Sequence, residues 1–239
     1  VDMYENWTDV SGFMVADPRI VNNPKIIEAI TYKELRELSY MGATVLHEDA
    51  IFPVHKAGIP INIKNTNKPE DRGTMIVPHA EPETSKKIIT GVAGRVGLSS
   101  FTIEKDMMNS ELGFGRKILE IFEKHKVSFE HLPSGIDTMS VVVNTDSIKD
   151  IKEEITADIF RVTNADAVTV EDGLALVAVV GRGMIKAKGT AMRTFTALTN
   201  ADINIKMIDQ GSSELNIIVG VEEEDYIKAL KAIYAEFDK

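Results

Sequence analysis

Two rhythms of apolar residues run through the second half of the chain, and together they repeat as a block. Between Phe114 and His125, Ile118, Leu119, Ile121 and Phe122 fall on one helical face. Val127, Phe129 and His131 then alternate with polar positions, and Met139, Val141 and Val143 do so again after the turn Pro133-Ser134-Gly135, which predicts a hairpin. A strand over 100–104, a helix over 147–155 and a strand over 167–171 complete a βαββαβ order. That order gives an antiparallel four-stranded sheet with both helices on one face, a ferredoxin-like layout.

The block recurs without gaps 76 positions later. Phe101, Ile103, Leu119, Phe122, Val127, Phe129, Gly135, Met139, Val141, Val143 and Ile151 align with Val177, Val179, Phe195, Leu198, Ile203, Ile205, Gly211, Leu215, Ile217, Val219 and Ile227. So long a period implies two copies of one folded unit rather than a solenoid. The second copy runs through Lys239 but stops after its second helix, and its fourth strand is expected from the β-rich segment 87–92. Copy one is then inserted into copy two. Ahead of both lies an α/β piece. Thr31-Tyr32-Lys33-Glu34 is a capping box opening a helix, Gly42 punctuates its end, and 60–64 reads as a strand after a helix closed by Gly58.

Composition narrows the function. The 239 residues are 44% hydrophobic, enough for a substantial core, and 37 acidic against 27 basic residues give a net charge of −10. That charge repels a phosphate backbone, so nucleic acid is not an expected partner. Cysteine is absent, which removes disulfides and thiolate chemistry and is compatible with a reducing cytoplasm. The longest apolar run, 174–180, is far short of the roughly 20 residues of a membrane helix and reads as a buried strand, so no membrane association is expected. The opening Val1-Asp2-Met3-Tyr4 is neither a signal peptide nor an initiator methionine, and the chain reads as part of something longer.

Neither copy holds a nucleophile and base pair, a metal cluster or a stacking platform, so binding is the expected role. Copy one is the more acidic where the two differ: Glu130 matches Lys206 and Asp137 matches Ser213. Met107-Met108-Asn109-Ser110 and Gly113-Phe114-Gly115 precede its first helix, where free backbone N–H groups suit a carboxylate while Glu130 or Asp137 suits an ammonium group. Together these describe a cleft for a free amino acid. Read from the residues alone, Glu130 serves equally as a solvated strand residue, and Gly113 and Gly115 as turn formers. Gly91, Gly94, Gly97, Gly181 and Gly183 lack the full dinucleotide pattern and read as loop glycines, and His47 and His55 have the wrong spacing for zinc. No metal site is expected.

At these residues the pair of copies resembles the tandem ACT domains of an aspartokinase. The match runs over Ile103 to Asp106, Met107 to Ser110, Val127 to Leu132 and Pro133 to Asp137. The N-terminal third strengthens it. Thr8-Asp9-Val10-Ser11-Gly12-Phe13-Met14 and Ala16-Asp17-Pro18-Arg19-Ile20-Val21 resemble the nucleotide-side segment of the amino acid kinase fold as aspartokinases carry it, and the match continues through Gly42 to His47, Gly58 to Thr66 and Gly73-Thr74. Many members have lysine where Thr44 stands and proline where Glu48 stands, so Thr44 is not counted as a site.

The resemblance implies an α+β fold: two ferredoxin-like ACT modules, the first (100–171) inserted in the second (87–99 plus 172–239), preceded over 1–80 by an incomplete α/β amino acid kinase segment. It implies ATP contacts at Thr8, Asp9, Met14 and Arg19. It implies an allosteric amino-acid site at Met107, Ser110, Phe114, Gly115, Ser128, Phe129, Glu130, Ser134, Gly135, Ile136 and Asp137, formed where two subunits meet, with lysine as the effector and threonine as the alternative. The parent enzyme would use Mg-ATP to phosphorylate aspartate in the cytoplasm, as a homodimer. The glycine-rich phosphate loop and the aspartate-binding residues of such enzymes have no counterpart here. Phosphoryl transfer depends on a complete cradle of cations and backbone donors, so no catalytic set is complete and the chain alone is expected to be inactive. The alternative reading is a separate regulatory subunit that binds the amino acid without catalysis.

Overall fold

The structure, a computed structural model, describes residues 1–43, 53–78 and 87–238. Thr44, His47 and Glu48 lie outside the described residues, as does the part of the family-like motif from Thr44 to His47. In chain order the elements are β1 (Tyr4–Thr8), β2 (Ala29–Thr31), α1 (Tyr32–Tyr40), β3 (Ile61–Asn65), β4 (Thr74–Val77), β5 (Gly91–Glu104), α2 (Phe114–Lys124), β6 (Phe129–His131), β7 (Thr138–Asn144), α3 (Lys152–Thr163), β8 (Ala167–Val180), α4 (Thr190–Asn200), β9 (Met207–Asp209), β10 (Asn216–Glu222) and α5 (Tyr226–Phe237). They form two compact units, one of Val1–Arg95, Leu176–Val221 and Asp225–Lys239, the other of Val96–Ala175 and Glu222–Glu224.

In the larger unit, one sheet has the order β1-β3-β4-β2, with β1 parallel to β3, β3 antiparallel to β4 and β2 parallel to β4. Alternation drives it: Ile61 and Ile63 point inward from β3 and Ile76 from β4, all fully buried with Ile30, Leu35, Leu38 and Phe13 nearly so. The capping box at the start of α1 forms as expected, Thr31 accepting from the Glu34 N–H while the Glu34 side chain accepts from the Thr31 N–H. The same unit holds a second sheet in which the first residues of β5 and the end of β8 lie beside β10 and β9.

The smaller unit has the sheet order β6-β7-β5-β8 with α2 and α3, the ferredoxin-like βαββαβ arrangement. Phe101, Ile103, Ile118, Phe122, Val141, Val143, Ile155 and Ile159 build its core, with the Phe101 and Phe122 rings edge to face at 5.3 Å.

Three expectations need correction. The segment around 87–92 and the strand over 100–104 are not separate: β5 runs unbroken from Gly91 to Glu104. Gly91, Gly94 and Gly97 therefore lie within the strand, not in loops, and Gly94 is required there because a Cβ would come within 2.5 Å of both the Leu176 carbonyl oxygen and the Tyr226 ring. Likewise 167–171 and 174–180 are one strand, β8. Finally, the helix expected over 147–155 is α3 at Lys152–Thr163. The Asn144 side chain accepts from the Asp146 N–H at 2.9 Å and holds Thr145–Ser147 in a 3-10 turn, which delays the helix until Ile155, Ile159 and Thr163 can face the core.

Candidate functional site

The nucleotide-side candidates start where β1 ends. β1 and β3 are parallel neighbours, and ligands of open α/β sheets gather beyond the carboxyl ends of such strands. Thr8 closes β1, its carbonyl accepting from both the Thr66 N–H at 2.8 Å and the Thr66 hydroxyl at 3.0 Å, and its own hydroxyl reaching Asp9 at 3.2 Å. Beneath them Ser11 donates to Asp71 at 2.6 Å and accepts from the buried Asn65 amide at 2.9 Å. This three-residue clamp ties the loop after β1 to the loop after β3, a role the sequence reading missed.

Met14 and Arg19 lie farther along the same loop and line a cavity of about 440 Å³ together with Asp17, Met41, Gly42, Ala43, Gly94 and Tyr226. Thr8 and Asp9 are not among its lining residues. Arg19 is mostly solvent-facing and bound to Asp17 through three contacts of 2.6 to 3.1 Å. Those hydrogen bonds hold the Asp17 carboxyl below the usual carboxylate range. Tyr226 comes from α5 and donates to the Gly94 carbonyl at 3.0 Å; burial pushes its phenol up.

Among the described residues of this unit, Glu34 is a heavily bonded carboxylate that is fully buried. It accepts from the Thr31 N–H at 2.9 Å and hydroxyl at 2.7 Å, from the Thr90 hydroxyl at 2.6 Å, and from Arg182 through the backbone N–H at 2.9 Å and the guanidinium at 2.7 Å. Burial alone would raise its pKa, but the bonds from Thr90, Arg182 and Thr31 outweigh that and hold it below the ordinary value. Its charged form is therefore the one the fold favours. The stabilisation is complete above the unfolded glutamate pKa of about 4.3 and is lost as pH falls through the lower folded value. Glu34→Gln should flatten this part of the acid-unfolding profile below pH 5, measured by circular dichroism at fixed urea; an unchanged profile would contradict it.

In the smaller unit the structure brings only part of the predicted amino-acid set together: the loop carrying Met107 and Ser110 lies beside the 134–137 turn, whereas Phe129 pairs with Val143, toward the other end of β7 from Thr138. The Lys105 N–H donates to the Asp137 carbonyl at 2.9 Å, which brings the loop carrying Met107 and Ser110 beside the 134–137 turn. Met107 has left-handed backbone at φ 60° and is exposed, and the Ser110 hydroxyl donates back to its carbonyl at 2.8 Å. Ser134, Gly135, Ile136 and Asp137 are all exposed, and Gly135 N–H donates to the Thr138 carbonyl at 2.7 Å. Ser128 is exposed just ahead of β6, and Phe129 and Glu130 lie on that strand at the sheet edge. An open groove of about 510 Å³ passes Leu119, Glu123, Lys126, Ser128 and Phe129. Phe114 differs from the rest: its ring is buried in the core and its N–H already bonds the Glu111 carbonyl at 3.3 Å. Gly115 follows it in the first turn of α2, where a Cβ would sit 3.8 Å from the Met139 methyl.

Among the described residues no group of three His, Cys, Asp or Glu is placed to hold a metal, and no helix is long and apolar enough to cross a membrane.

A mixed α/β sheet with parallel strands at both edges, together with ferredoxin-like βαββαβ sheets, points to the class: a kinase-fold segment followed by regulatory modules. Residues 1–65 match the amino acid kinase family and residues 177–237 match an ACT domain. Aspartokinase 3 of Bacillus subtilis is 43% identical over 99% of this chain and 52% of its own length. The solved aspartate kinase of Clostridium acetobutylicum is 57% identical, with a TM-score of 0.94 over 99% of this chain and 54% of that one. Escherichia coli aspartokinase III is 26% identical over the whole of this chain and about half of its own, with a TM-score of 0.84 to its complex with aspartate and ADP and 0.78 to its complex with lysine and aspartate. The chain belongs to the aspartokinase family, and it spans about half the length of these relatives.

Proposed function

We propose that this chain is the nucleotide-side and regulatory part of an aspartokinase, over 1–80 and 87–239 respectively, and that its first ACT module senses lysine. The parent enzyme transfers a phosphoryl group from ATP to aspartate, with Mg²⁺ entering on the nucleotide as part of the substrate. Thr8 and Asp9, held at the end of β1 by Thr66, position the nucleotide from one side, and Met14 and Arg19 line the adjacent cavity. Arg19 is always charged, and exchanging Asp17 for a phosphate oxygen leaves its charge paired.

The observation that carries the sensing role is a set of exposed residues on the β6–β7 hairpin and the loop after β5. Met107, Phe129 and Ile136 are 68%, 46% and 69% exposed, and the hairpin also carries two carboxylates, half-buried Glu130 and exposed Asp137. An apolar rim with acidic groups on an open sheet edge suits a cationic amino acid enclosed by a second copy of the chain. That E. coli aspartokinase III was solved with lysine and aspartate supports the choice of lysine. Effector binding then favours one subunit arrangement by its differential affinity for it. Sedimentation velocity should show lysine shifting the chain toward a dimer, and a sedimentation coefficient independent of lysine would count against a shared site.

A further inference from the structure

The Glu34 carboxylate joins three segments that are distant in sequence. Thr31 opens α1 in the kinase segment, Thr90 precedes β5, and Arg182 follows β8 in the second ACT module, yet all three converge on one buried group. Two of these segments lead directly to the nucleotide-side cavity. α1 runs nine residues from Glu34's turn to Met41, Gly42 and Ala43 in the cavity wall. Past Thr90, the Val92 N–H donates to the Val15 carbonyl at 2.7 Å, and Val92, Ala93 and Gly94 form the neighbouring wall. A second contact reinforces α1 one turn on, where Asn216 of β10 donates to Glu37 at 2.6 Å.

We infer that Glu34 and Arg182 are positioning residues: their buried pair is the point through which the second ACT module sets the shape of the nucleotide-side cavity. Neither side chain lines that cavity. A displacement of the turn carrying Arg182 must break the pair or pull α1 and the start of β5 with it, and either event moves the walls around Met14 and Arg19. The inference rests on reading this cavity as the nucleotide side.

The test uses the whole chain and the double variant Glu34→Gln/Arg182→Met, which removes the pair without leaving a buried charge and so keeps the fold, with Arg182→Lys as a second variant that retains the charge. Amide exchange is followed by mass spectrometry, and ADP affinity by calorimetry. The double variant is expected to exchange at least tenfold faster over 38–43 and 91–94 while 139–143 in the other unit is unchanged, and to bind ADP at least fivefold more weakly, with Arg182→Lys intermediate. Unchanged exchange over 38–43 and 91–94, acceleration equal everywhere, or unchanged ADP affinity in the folded double variant would overturn it. If the unmodified chain binds no ADP, the nucleotide reading of the cavity falls, and the exchange profile alone then decides the coupling.

Discussion

Arg182→Met should destabilise the chain by about 3–5 kcal/mol, the largest effect expected of any single substitution at these sites. The side chain is only 15% exposed and its partner Glu34 is fully buried, so removing the guanidinium strands a carboxylate that keeps three hydroxyl and amide donors from Thr31 and Thr90 and one from the residue-182 backbone but loses the counter-charge held at 2.7 Å. Taking one partner from a buried ion pair costs far more than replacing both, because the penalty is the desolvated charge left behind. Glu34→Gln/Arg182→Met should therefore recover most of the loss. Urea unfolding of the three proteins would show it, and a double variant as weak as Arg182→Met would contradict this account of the pair.

Gly183→Ala is expected to cost about 3 kcal/mol through overpacking. A Cβ at this position would lie 2.3 Å from the Lys87 carbonyl oxygen, 2.6 Å from that of Ile88 and 2.9 Å from the Ile88 Cα. All three are backbone atoms, so no side chain can swing aside. The same close approach governs Gly181, whose Cβ would meet Ile89 and Thr90 at 2.6 and 2.7 Å. These two glycines let the turn carrying Arg182 press against 87–90 and bring Thr90 and Arg182 to the same carboxylate. A loss below about 1 kcal/mol in thermal unfolding would show that the segment 87–90 yields more easily than this packing allows.

Much of the architecture could be read from the chain because it is written in local patterns. The 76-residue repeat and its alternation identify both ferredoxin-like units, and Thr31 and Glu34 announce the start of α1. What escaped depends on long-range contact. Gly94 looks like a loop residue until the Leu176 carbonyl and Tyr226 ring are placed against it, so β5 reads from sequence as two strands. The start of α3 falls later than apolar spacing suggests because the Asn144 side chain stabilises a short turn that the spacing does not reveal. Glu34 shows the limit most plainly: its capping role is local and legible, while its bonds to Thr90 and Arg182, 56 and 148 residues away, are not. At the proposed amino-acid site the exposure of Met107 and Asp137 is legible from their loop positions, but the burial of Phe114 is not, since the helical face that turns it inward is fixed only by packing in the core.

The central claim is that the first ACT module holds a cationic amino acid against Glu130. Calorimetric titration of the chain with lysine, beside threonine, methionine and aspartate and with Glu130→Ala run in parallel, tests it most directly. The account predicts saturable lysine binding that Glu130→Ala weakens at least tenfold, about 1.4 kcal/mol; binding of threonine alone, or lysine binding that survives the substitution unchanged, would contradict it.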